Sequence, residues 1–294
     1  MEIRLLKYFW TVAEVGTVSG AAEVLHITQP TLSRQLQALA DELDTPLFVR
    51  EHNRLVLTKA GVFLKSRAAE ILALTQQTEQ EFIDQKHAAI SGNLRIGCVE
   101  ADNSDTMAEI LEELVQDNPA VTFTVITGDG AQISEQLDKG LLDVAILIEP
   151  IDTAKYNTLR LPRAERWGIL TSAQSPLARK QEIHPADLQG VPLMLSHRPL
   201  VEAMLNEWAG TNAGQLRVVG RYNLNFNIQP LIERQIGSAL SIQGVTQDID
   251  PSKLKFVPLA PALTTHCVLT WRKERVVTPL VSEYLRRFQA AFAN

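Results

Sequence analysis

The chain has 294 residues, and its 34 Asp and Glu side chains outnumber its 28 Lys and Arg side chains, which gives a formal net charge of −6. This length fits two domains, and a composition of 45% hydrophobic and 21% charged residues excludes wholesale disorder and a fibrous repeat. Taken alone, the excess of acids argues against nucleic-acid binding, which usually depends on Lys and Arg.

Three helices joined by tight turns are predicted in residues 5–43. Apolar residues recur at helical spacing over residues 5–15. Ser19 is expected to cap a second, short helix over residues 20–25, and Thr28 is expected to cap a third. The third helix has one apolar face, formed at spacings of four, three and four by Leu32, Leu36, Leu39 and Leu43.

A hairpin and a long helix are predicted next. Two short apolar stretches, residues 47–50 and 55–57, flank a polar turn and indicate a small β-hairpin, or wing. Thr58 is expected to cap a helix that runs to about His87, and residues 76–81 of this helix are polar nearly all round. Such a helix is not the core of a compact domain, so we expect it to bridge domains or to pair with a second copy.

Strands alternate with helices after residues 91–93, which break the long helix. This alternation indicates α/β layers built on parallel strands. The predicted strands are residues 94–99, 121–126, 144–148, 166–171, 193–196, 215–221, 239–242 and 267–271. The predicted helices are residues 105–117, 132–139, 200–210, 227–236 and 278–291.

Neither a disulfide scaffold nor a metal site is indicated. Cys98 and Cys267 are the only cysteines, and they have no metal-ligand spacing with the six His residues. The N-terminal segment carries charges, and no uncharged apolar run approaches the roughly 18 residues that a membrane span needs. We therefore expect reduced thiols, no cofactor, no membrane contact and a cytoplasmic location.

The third predicted helix carries side chains that can bind DNA bases. In a helix-turn-helix the second helix enters the major groove, and its early residues meet base edges. Gln can bond adenine and Arg can bond guanine in a bidentate manner, while hydroxyl groups can bond bases or phosphates. Gln29, Thr31, Ser33 and Arg34 stand at that end of the helix. They predict double-stranded DNA as a partner, although other three-helix units can share the pattern.

Five short motifs occur in order and with fixed gaps in the first 61 residues. They are Leu6-x-x-Phe9, Ala21-Ala22-x-x-Leu25, Gln29-Pro30-x-x-Ser33, Pro46-Leu47-Phe48-x-Arg50 and Leu57-Thr58-x-Ala60-Gly61. Together they resemble the N-terminal domain of LysR-type transcriptional regulators. Two positions depart from the family pattern: Ala40 replaces a usual Glu, and Asp44 replaces a usual Gly. Asp44 is therefore expected to adopt a positive φ, which Asp tolerates better than most residues.

The resemblance covers the whole chain, since the family's linker helix and effector domain match the remainder in length and order. The matching segments there are Asn93-Leu94-Arg95-Ile96-Gly97, Asn118-Pro119-x-Val121 and Gly140-x-Leu142-Asp143-Val144-Ala145-Ile146. It implies an α+β chain in two parts. Residues 1–58 would form a winged helix-turn-helix, residues 59–90 a linker and dimerisation helix, and residues 91–294 a two-lobed α/β effector domain of the periplasmic-binding-protein-like type II class. Lobe I would comprise 91–161 and 267–294, and lobe II 162–266.

The resemblance also implies which residues and partners carry the function. Gln29, Pro30, Thr31, Ser33 and Arg34 would lie in or beside the major groove, and Arg50 and Arg54 would reach phosphates or the minor groove from the wing. A structural ion pair is the alternative role for Arg50. The expected partners are DNA with an interrupted palindrome, a small-molecule effector, RNA polymerase, and further copies of the chain as a homodimer or homotetramer.

The effector is expected between the two lobes, at strand ends and helix N-termini, where exposed backbone amides favour an anionic or carboxylate ligand. The residues expected to line this cleft are Glu100, Ala101, Asp102, Asn103, Thr127, Gly128, Ser196, His197 and Arg198. The acids of this set leave two interpretations open: Glu100 or Asp102 recognises an amine, a guanidine or hydroxyl groups, or the acids only support the following helix. Arg198 would bind a carboxylate of the effector, or it would offset the negative charge of these acids across the cleft. A redox role for Cys98 would need a low-pKa thiolate and a resolving partner, and the sequence shows neither.

Two other classes of protein can be compared with this prediction. The sequence lacks Gly-x-Ser-x-Gly, P-loop, His-Glu-x-x-His and Cys-x-x-Cys motifs, so no enzyme is expected. A cytosolic small-molecule-binding protein without a specific DNA target would leave the first ninety residues unexplained. Residues 1–67 carry 8 basic and 7 acidic side chains, and the rest carries 20 and 27. The acidity therefore belongs to the later part of the chain, and nonspecific DNA affinity should be modest.

Overall fold

The chain forms two compact units, which we describe separately. Unit 1 covers Met1–Lys86 and unit 2 covers His87–Asn294. No helix in the described part of the chain is both long and apolar enough to cross a membrane. The computed structural model describes residues 1–51, 54–84, 90–102 and 104–292.

Unit 1 contains the predicted three helices, hairpin and long helix. They are α1 (Ile3–Val15), α2 (Val18–Val24), α3 (Gln29–Glu42), β1 (Phe48–Glu51), β2 (Arg54–Leu57) and α4 (Lys59–Asp84). β1 and β2 pair antiparallel, which confirms the predicted wing. Phe9 of α1 is fully buried in a core shared with α3 and α4, and its ring centroid lies 5.2 Å from that of Phe48. Deep burial of such aromatic rings supplies much of the stability of a small domain.

The second helix begins earlier than the sequence predicts. Its N-cap is Thr17, whose Oγ1 accepts a hydrogen bond from Gly20 N (3.2 Å). The prediction of Ser19 as the cap is wrong, because the extended Thr17 already satisfies a free N–H and Ser19 lies inside the helix. The expected positive φ of Asp44 is confirmed at 46°.

Unit 2 is built on a twisted sheet with helices against it. In its described residues, nine strands form this sheet in the order β4-β3-β5-β11-β6-β9-β7-β8, and β10 pairs with β6. The strands are β3 (Gly92–Cys98), β4 (Val121–Thr127), β5 (Val144–Ile148), β6 (Tyr156–Ser172), β7 (Pro192–Ser196), β8 (Arg217–Tyr222), β9 (Ser238–Ile242), β10 (Leu254–Pro258) and β11 (Thr264–Arg272). The helices are α5 (Ser104–Asp117), α6 (Gly130–Asp138), α7 (Pro199–Ala209), α8 (Gln229–Glu233) and α9 (Pro279–Ala291).

Two long strands join the halves of this sheet. β6 pairs with β11 along much of its length, and its last residues pair with β9 and β10. One half holds the parallel pairs β3–β4 and β3–β5, and the other holds β7–β8 and β7–β9. The predicted α/β layers with parallel strands are therefore confirmed, and each half directs its strand ends toward one edge.

Three elements of unit 2 differ from prediction. β6 spans 17 residues, whereas only residues 166–171 were expected to be extended. β10 was not expected, and α8 spans five residues in place of the predicted 227–236. The helix ends early because Gln235 adopts a left-handed φ of 58°, which stops a right-handed helix.

Candidate DNA-contacting surface and effector cleft

The start of α3 is fixed by its capping residue and its buried face. Thr28 Oγ1 accepts from Thr31 N (3.4 Å) and shares a hydrogen bond with Thr31 Oγ1 (2.8 Å). Pro30 stands in the first turn, where its missing N–H costs nothing. Leu32 and Leu39 are fully buried in the two cores of unit 1. The opposite face of α3 must therefore point to solvent.

The residues expected to contact DNA lie on this solvent face. Ser33 and Arg34 are exposed and Thr31 is half-buried, and Gln29 and Pro30 are exposed at the first turn. Among the described residues, Arg34 makes no hydrogen bond and no ion pair. A guanidinium without an internal partner keeps all its donors available for a base or a phosphate.

The wing residues can be placed only by their backbone. Arg50 pairs with Leu55 and Glu51 with Arg54 in the hairpin register. The side chains of Arg50 and Arg54 lie outside the described residues, so their contact with DNA stays a prediction. The base of the wing is tied to α4, because Thr58 Oγ1 donates to Pro46 O (2.7 Å) and accepts from Gly61 N (3.0 Å).

A cavity of about 70 Å³ lies between the two halves of the sheet in unit 2. Residues from both halves line it, and most of them directly follow strand ends. They include Glu100, Gly128, Asp129, Trp167, Ser196, Arg198, Tyr222, Asn225 and Ser241. A cavity of this volume holds about two water molecules. Its position at strand ends is the usual place for a ligand in such α/β sheets.

Glu100 crosses the cavity to a loop of the opposite half. Its Oε2 accepts from Asn225 N (2.9 Å) and from Asn225 Nδ2 (3.4 Å). Ser241 Oγ donates to Asn225 Oδ1 (2.8 Å), which fixes the orientation of the amide. Tyr222, whose phenol donates to Leu240 O, has its pKa raised by burial and by the negative charge of Glu100. Glu100 therefore bonds to the opposite half of the sheet, and its negative charge also acts on a side chain that lines the cavity.

Arg198 makes a second connection across the cavity. Its Nη2 donates to Ile148 O (3.0 Å) and to Pro150 O (2.6 Å). Burial lowers the pKa of this guanidinium, and the nearby carboxylate of Asp129 opposes the shift. Of the two predicted roles for Arg198, the structure shows neither directly: the described hydrogen bonds of the side chain go to backbone carbonyls.

Asp129 is buried at the N-terminus of α6. Its Oδ1 accepts from Ala131 N and Gln132 N, each at 3.0 Å. His197 Nε2 lies 3.8 Å from the same oxygen, and His197 Nδ1 lies 3.3 Å from Tyr222 O. The carboxylate therefore occupies the anion-binding end of the helix itself.

A third connection between the two halves involves residues that do not line the cavity. Glu165 is buried, and its carboxylate accepts from Asp102 N (2.6 Å) and Gly244 N (3.3 Å). Burial raises the pKa of Glu165, which these two backbone donors counteract. Asp102 Oδ1 in turn accepts from Gln247 Nε2 (2.6 Å). Asp102 is thus engaged in a contact with the opposite half and does not line the cavity.

The structure brings some of the predicted cleft residues together and separates others. Glu100, Gly128, Ser196 and Arg198 line the cavity. Ala101 packs against the core, and Thr127 and His197 are exposed beside the cavity. Asn103 lies outside the described residues. Sequence reasoning missed Trp167, Tyr222, Asn225 and Ser241. The polar run after β8, Asn223-Leu224-Asn225, was the available signal.

Cys98 is buried at the end of β3 close to this region. Burial raises the pKa of its thiol to about 11, and the thiol contacts Val99 O at 3.3 Å. The thiol is therefore protonated at neutral pH and is a weak nucleophile. Cys267 is also buried and forms no disulfide.

Two family models match the chain. One, described as "LysR substrate binding domain", matches residues 87–293, and the other, described as "Bacterial regulatory helix-turn-helix protein, lysR family", matches residues 3–62. Together they account for both units.

Named relatives and solved structures agree with these models. The HTH-type transcriptional regulator IlvY of Escherichia coli K12 is 29% identical over 72% of this chain and 71% of its own length. The Hca operon transcriptional activator HcaR of the same organism is 26% identical over 100% and 99%. The fold is similar to that of CbnR complexed with its target DNA, with a TM-score of 0.73, 20% identity, and coverage of 99% of this chain and 100% of that one. Full-length BenM gives a TM-score of 0.55 at 24% identity, with coverage of 100% and 97%.

Proposed function

The chain belongs to the LysR family of DNA-binding transcriptional regulators, and we propose that α3 selects its DNA site while the cavity of unit 2 binds the controlling effector. In this proposal residues 1–58 bind DNA, residues 59–90 pair two copies, and residues 91–294 bind the effector. The observation that carries it is the solvent face of α3, which presents Arg34 without an internal partner among the described residues.

The exposed apolar residues of α4 support pairing between copies. Val62, Phe63 and Phe82 are 59%, 65% and 64% exposed, although a single copy would normally bury such side chains. Pairing two α4 helices would cover them and would present two α3 helices to the two halves of an interrupted palindrome. Residues 1–67 carry nearly equal numbers of basic and acidic side chains, so one copy alone should attract DNA only weakly. Two paired copies would bind through two α3 helices at once.

The effector would act through the bonds that cross the cavity. Glu100, Arg198 and Asp102 each connect the two halves of unit 2. A ligand that changes these contacts can shift the arrangement of the copies on DNA only if it binds the two arrangements with different affinity. RNA polymerase would then meet a differently arranged promoter complex.

Replacing Arg34 with Ala tests the DNA part of this proposal. We expect a loss of about 1 to 3 kcal/mol in specific binding, because a bidentate base contact is removed. Affinity would be measured by fluorescence anisotropy on a site selected from a random-sequence DNA library. Fold and oligomeric state should be unchanged, since the Arg34 side chain makes no hydrogen bond or ion pair among the described residues.

Arg179→Ala is the matched control for this experiment. Arg179 is exposed at the end of a short 3₁₀ turn in unit 2, far along the chain from α3. Its removal should leave affinity for the selected site unchanged. Equal affinities of wild type and Arg34→Ala for the selected site would remove Arg34 from the base-contacting set.

A further inference from the structure

We infer that the effector cavity takes a small ligand bearing a positively charged amine, and that Glu100 is the counter-charge of that amine. This inference rests on the proposed function, which places the effector in the cavity of unit 2. It follows from how the three charged groups that line the cavity, Glu100, Asp129 and Arg198, are already partnered.

The helix end that would attract an anion is occupied by the protein itself. Asp129 Oδ1 accepts both Ala131 N and Gln132 N at the start of α6, and Asp129 is only 6% exposed. These are the free backbone donors and the positive dipole end that a bound carboxylate or phosphate would use. A ligand anion would have to displace a buried carboxylate of the same charge, so this end of α6 disfavours anions.

The cation of the cavity is partly engaged, and its charge is offset by a neighbouring acid. Arg198 donates to the carbonyls of Ile148 and Pro150, and its guanidinium packs over Gly130 at the start of α6. The negative charge of Asp129 acts directly on it. The charge of Asp129 therefore offsets that of Arg198, and the two carbonyl groups occupy the Nη2 hydrogens, which leaves a ligand carboxylate only the Nε and Nη1 donors of a guanidinium whose charge is already offset.

Glu100 is the charge that remains without a cation. The two donors to its Oε2 come from Asn225 and are neutral amides. Among the described residues no Lys, Arg or His forms an ion pair with Glu100. With Asp129 and Arg198 balanced, the cavity keeps the negative charge of Glu100, and low-dielectric walls such as Trp167 and Ile242 strengthen its attraction for a cation.

An ammonium group matches what Glu100 offers. It carries three donors and no acceptor, so it can bond the carboxylate together with a neighbouring oxygen such as that of Ser196 or Ser241. It would compete with Asn225, whose bond to Glu100 joins the two halves of unit 2. Binding of the amine would therefore be coupled to the contact that crosses the cavity.

The charge preference can be measured on the full-length wild-type chain with three probes of similar size. Propylammonium, acetate and acetamide would be titrated at matched ionic strength, with melting temperature and ligand-observed NMR as readouts. We expect propylammonium to bind and to raise the melting temperature, while acetate has no more effect than neutral acetamide. This comparison decides the inference without any variant.

Two matched variants locate the amine. Glu100→Gln keeps the size of the side chain and one acceptor oxygen and removes its charge, so the apparent Kd for propylammonium should rise at least about tenfold. Glu274→Gln makes the same change at an exposed residue that has no partner among the described residues, and it should leave that Kd unchanged. Equal binding of propylammonium by wild type and Glu100→Gln would overturn the assignment of Glu100.

The remaining outcomes separate the inference from the proposed function. Stabilisation by acetate in preference to propylammonium would overturn the amine assignment, while the cavity would stay the effector site. Failure of all three probes to bind would overturn the amine assignment and count against the cavity as well. Specific DNA binding in the absence of probe, compared between the wild-type chain and Arg34→Ala, tests the role of α3 independently of the amine.

Discussion

Replacing Asp143 with Ala is expected to lower the free energy of unfolding of unit 2 by about 3 kcal/mol, because it removes the carboxylate of a buried ion pair. Asp143 Oδ2 accepts from Arg95 N (2.9 Å), and Oδ1 accepts from Arg95 Nη2 (3.2 Å). Arg275 Nη2 lies 3.4 Å from the same Oδ1. The side chain of Asp143 is 5% exposed, so its removal leaves a backbone N–H and two partly buried guanidinium groups without this carboxylate.

Urea unfolding of the full chain would measure this change. Asp248→Ala is the control, because Asp248 is exposed and has no partner among the described residues, and such a substitution changes stability by about 0.5 kcal/mol or less. Asp143→Asn should fall between the two, since an amide oxygen can still accept from Arg95 N. A loss for Asp143→Ala no larger than that for Asp248→Ala would show that the two arginines are satisfied without the carboxylate.

The strand β5 was predicted from the sequence to the residue, and the long strand β6 at the junction of the lobes was not. All five residues of β5 are buried, and a doubly covered strand gives a continuous apolar run. β6 contains Pro162, which normally indicates the end of a strand. In the structure Pro162 lies between Arg160 and Ala164, where the ladder with β11 is interrupted at the bulge between His266 and Val268. No ladder hydrogen bond is needed from Pro162, so the strand continues.

The sequence could predict which strand ends form the candidate cleft. It could not predict which hydrogen bonds cross the cleft. Residues after β3, β4 and β7 supplied Glu100, Gly128, Ser196 and Arg198, because parallel strands bring their carboxyl ends to one edge. The same rule applied to β8 would have added Asn225. Sequence alone could not show that Arg198 donates to the carbonyl groups of Ile148 and Pro150. Those groups lie far from Arg198 along the chain, and only the packing of the two lobes brings them close to it.

In unit 1, one family motif could be recognised from the sequence although the structural reason for its glycine could not. Leu57-Thr58-x-Ala60-Gly61 carried part of the family resemblance, yet no spacing rule explains a Gly in the first turn of a helix, where it costs stability relative to Ala. In the structure Thr58 N donates to Leu47 O (3.0 Å), which draws the segment before β1 against the start of α4. The backbone of Gly61 faces that same carbonyl group.

Gly61→Ala is therefore expected to destabilise unit 1 by about 2 to 3 kcal/mol, the upper part of the range for overpacking a core. A Cβ at this position would overlap the Leu47 carbonyl oxygen, and it would lie 3.2 Å from the Leu47 carbonyl carbon and 2.9 Å from Leu57 Cδ2. The overlapped atoms belong mostly to backbone, which cannot rotate away as a side chain can. Relief requires the segment Pro46–Leu47 to move, and this segment leads directly into the wing.

Hydrogen exchange on the full chain can isolate this effect, because it reports the opening of α1, α3 and the wing separately from unit 2. Gly20→Ala is the comparison variant: its Cβ would meet Thr17 Oγ1 and Val15 Cγ1 at 2.9 Å, so relief moves two side chains, at most at the cost of the Thr17 cap, and no backbone carbonyl group. We expect faster exchange and weaker DNA binding for Gly61→Ala than for Gly20→Ala. Equal protection of unit 1 in the two variants would mean that the Leu47 segment yields easily, and the family's Gly would then need an explanation other than this close approach.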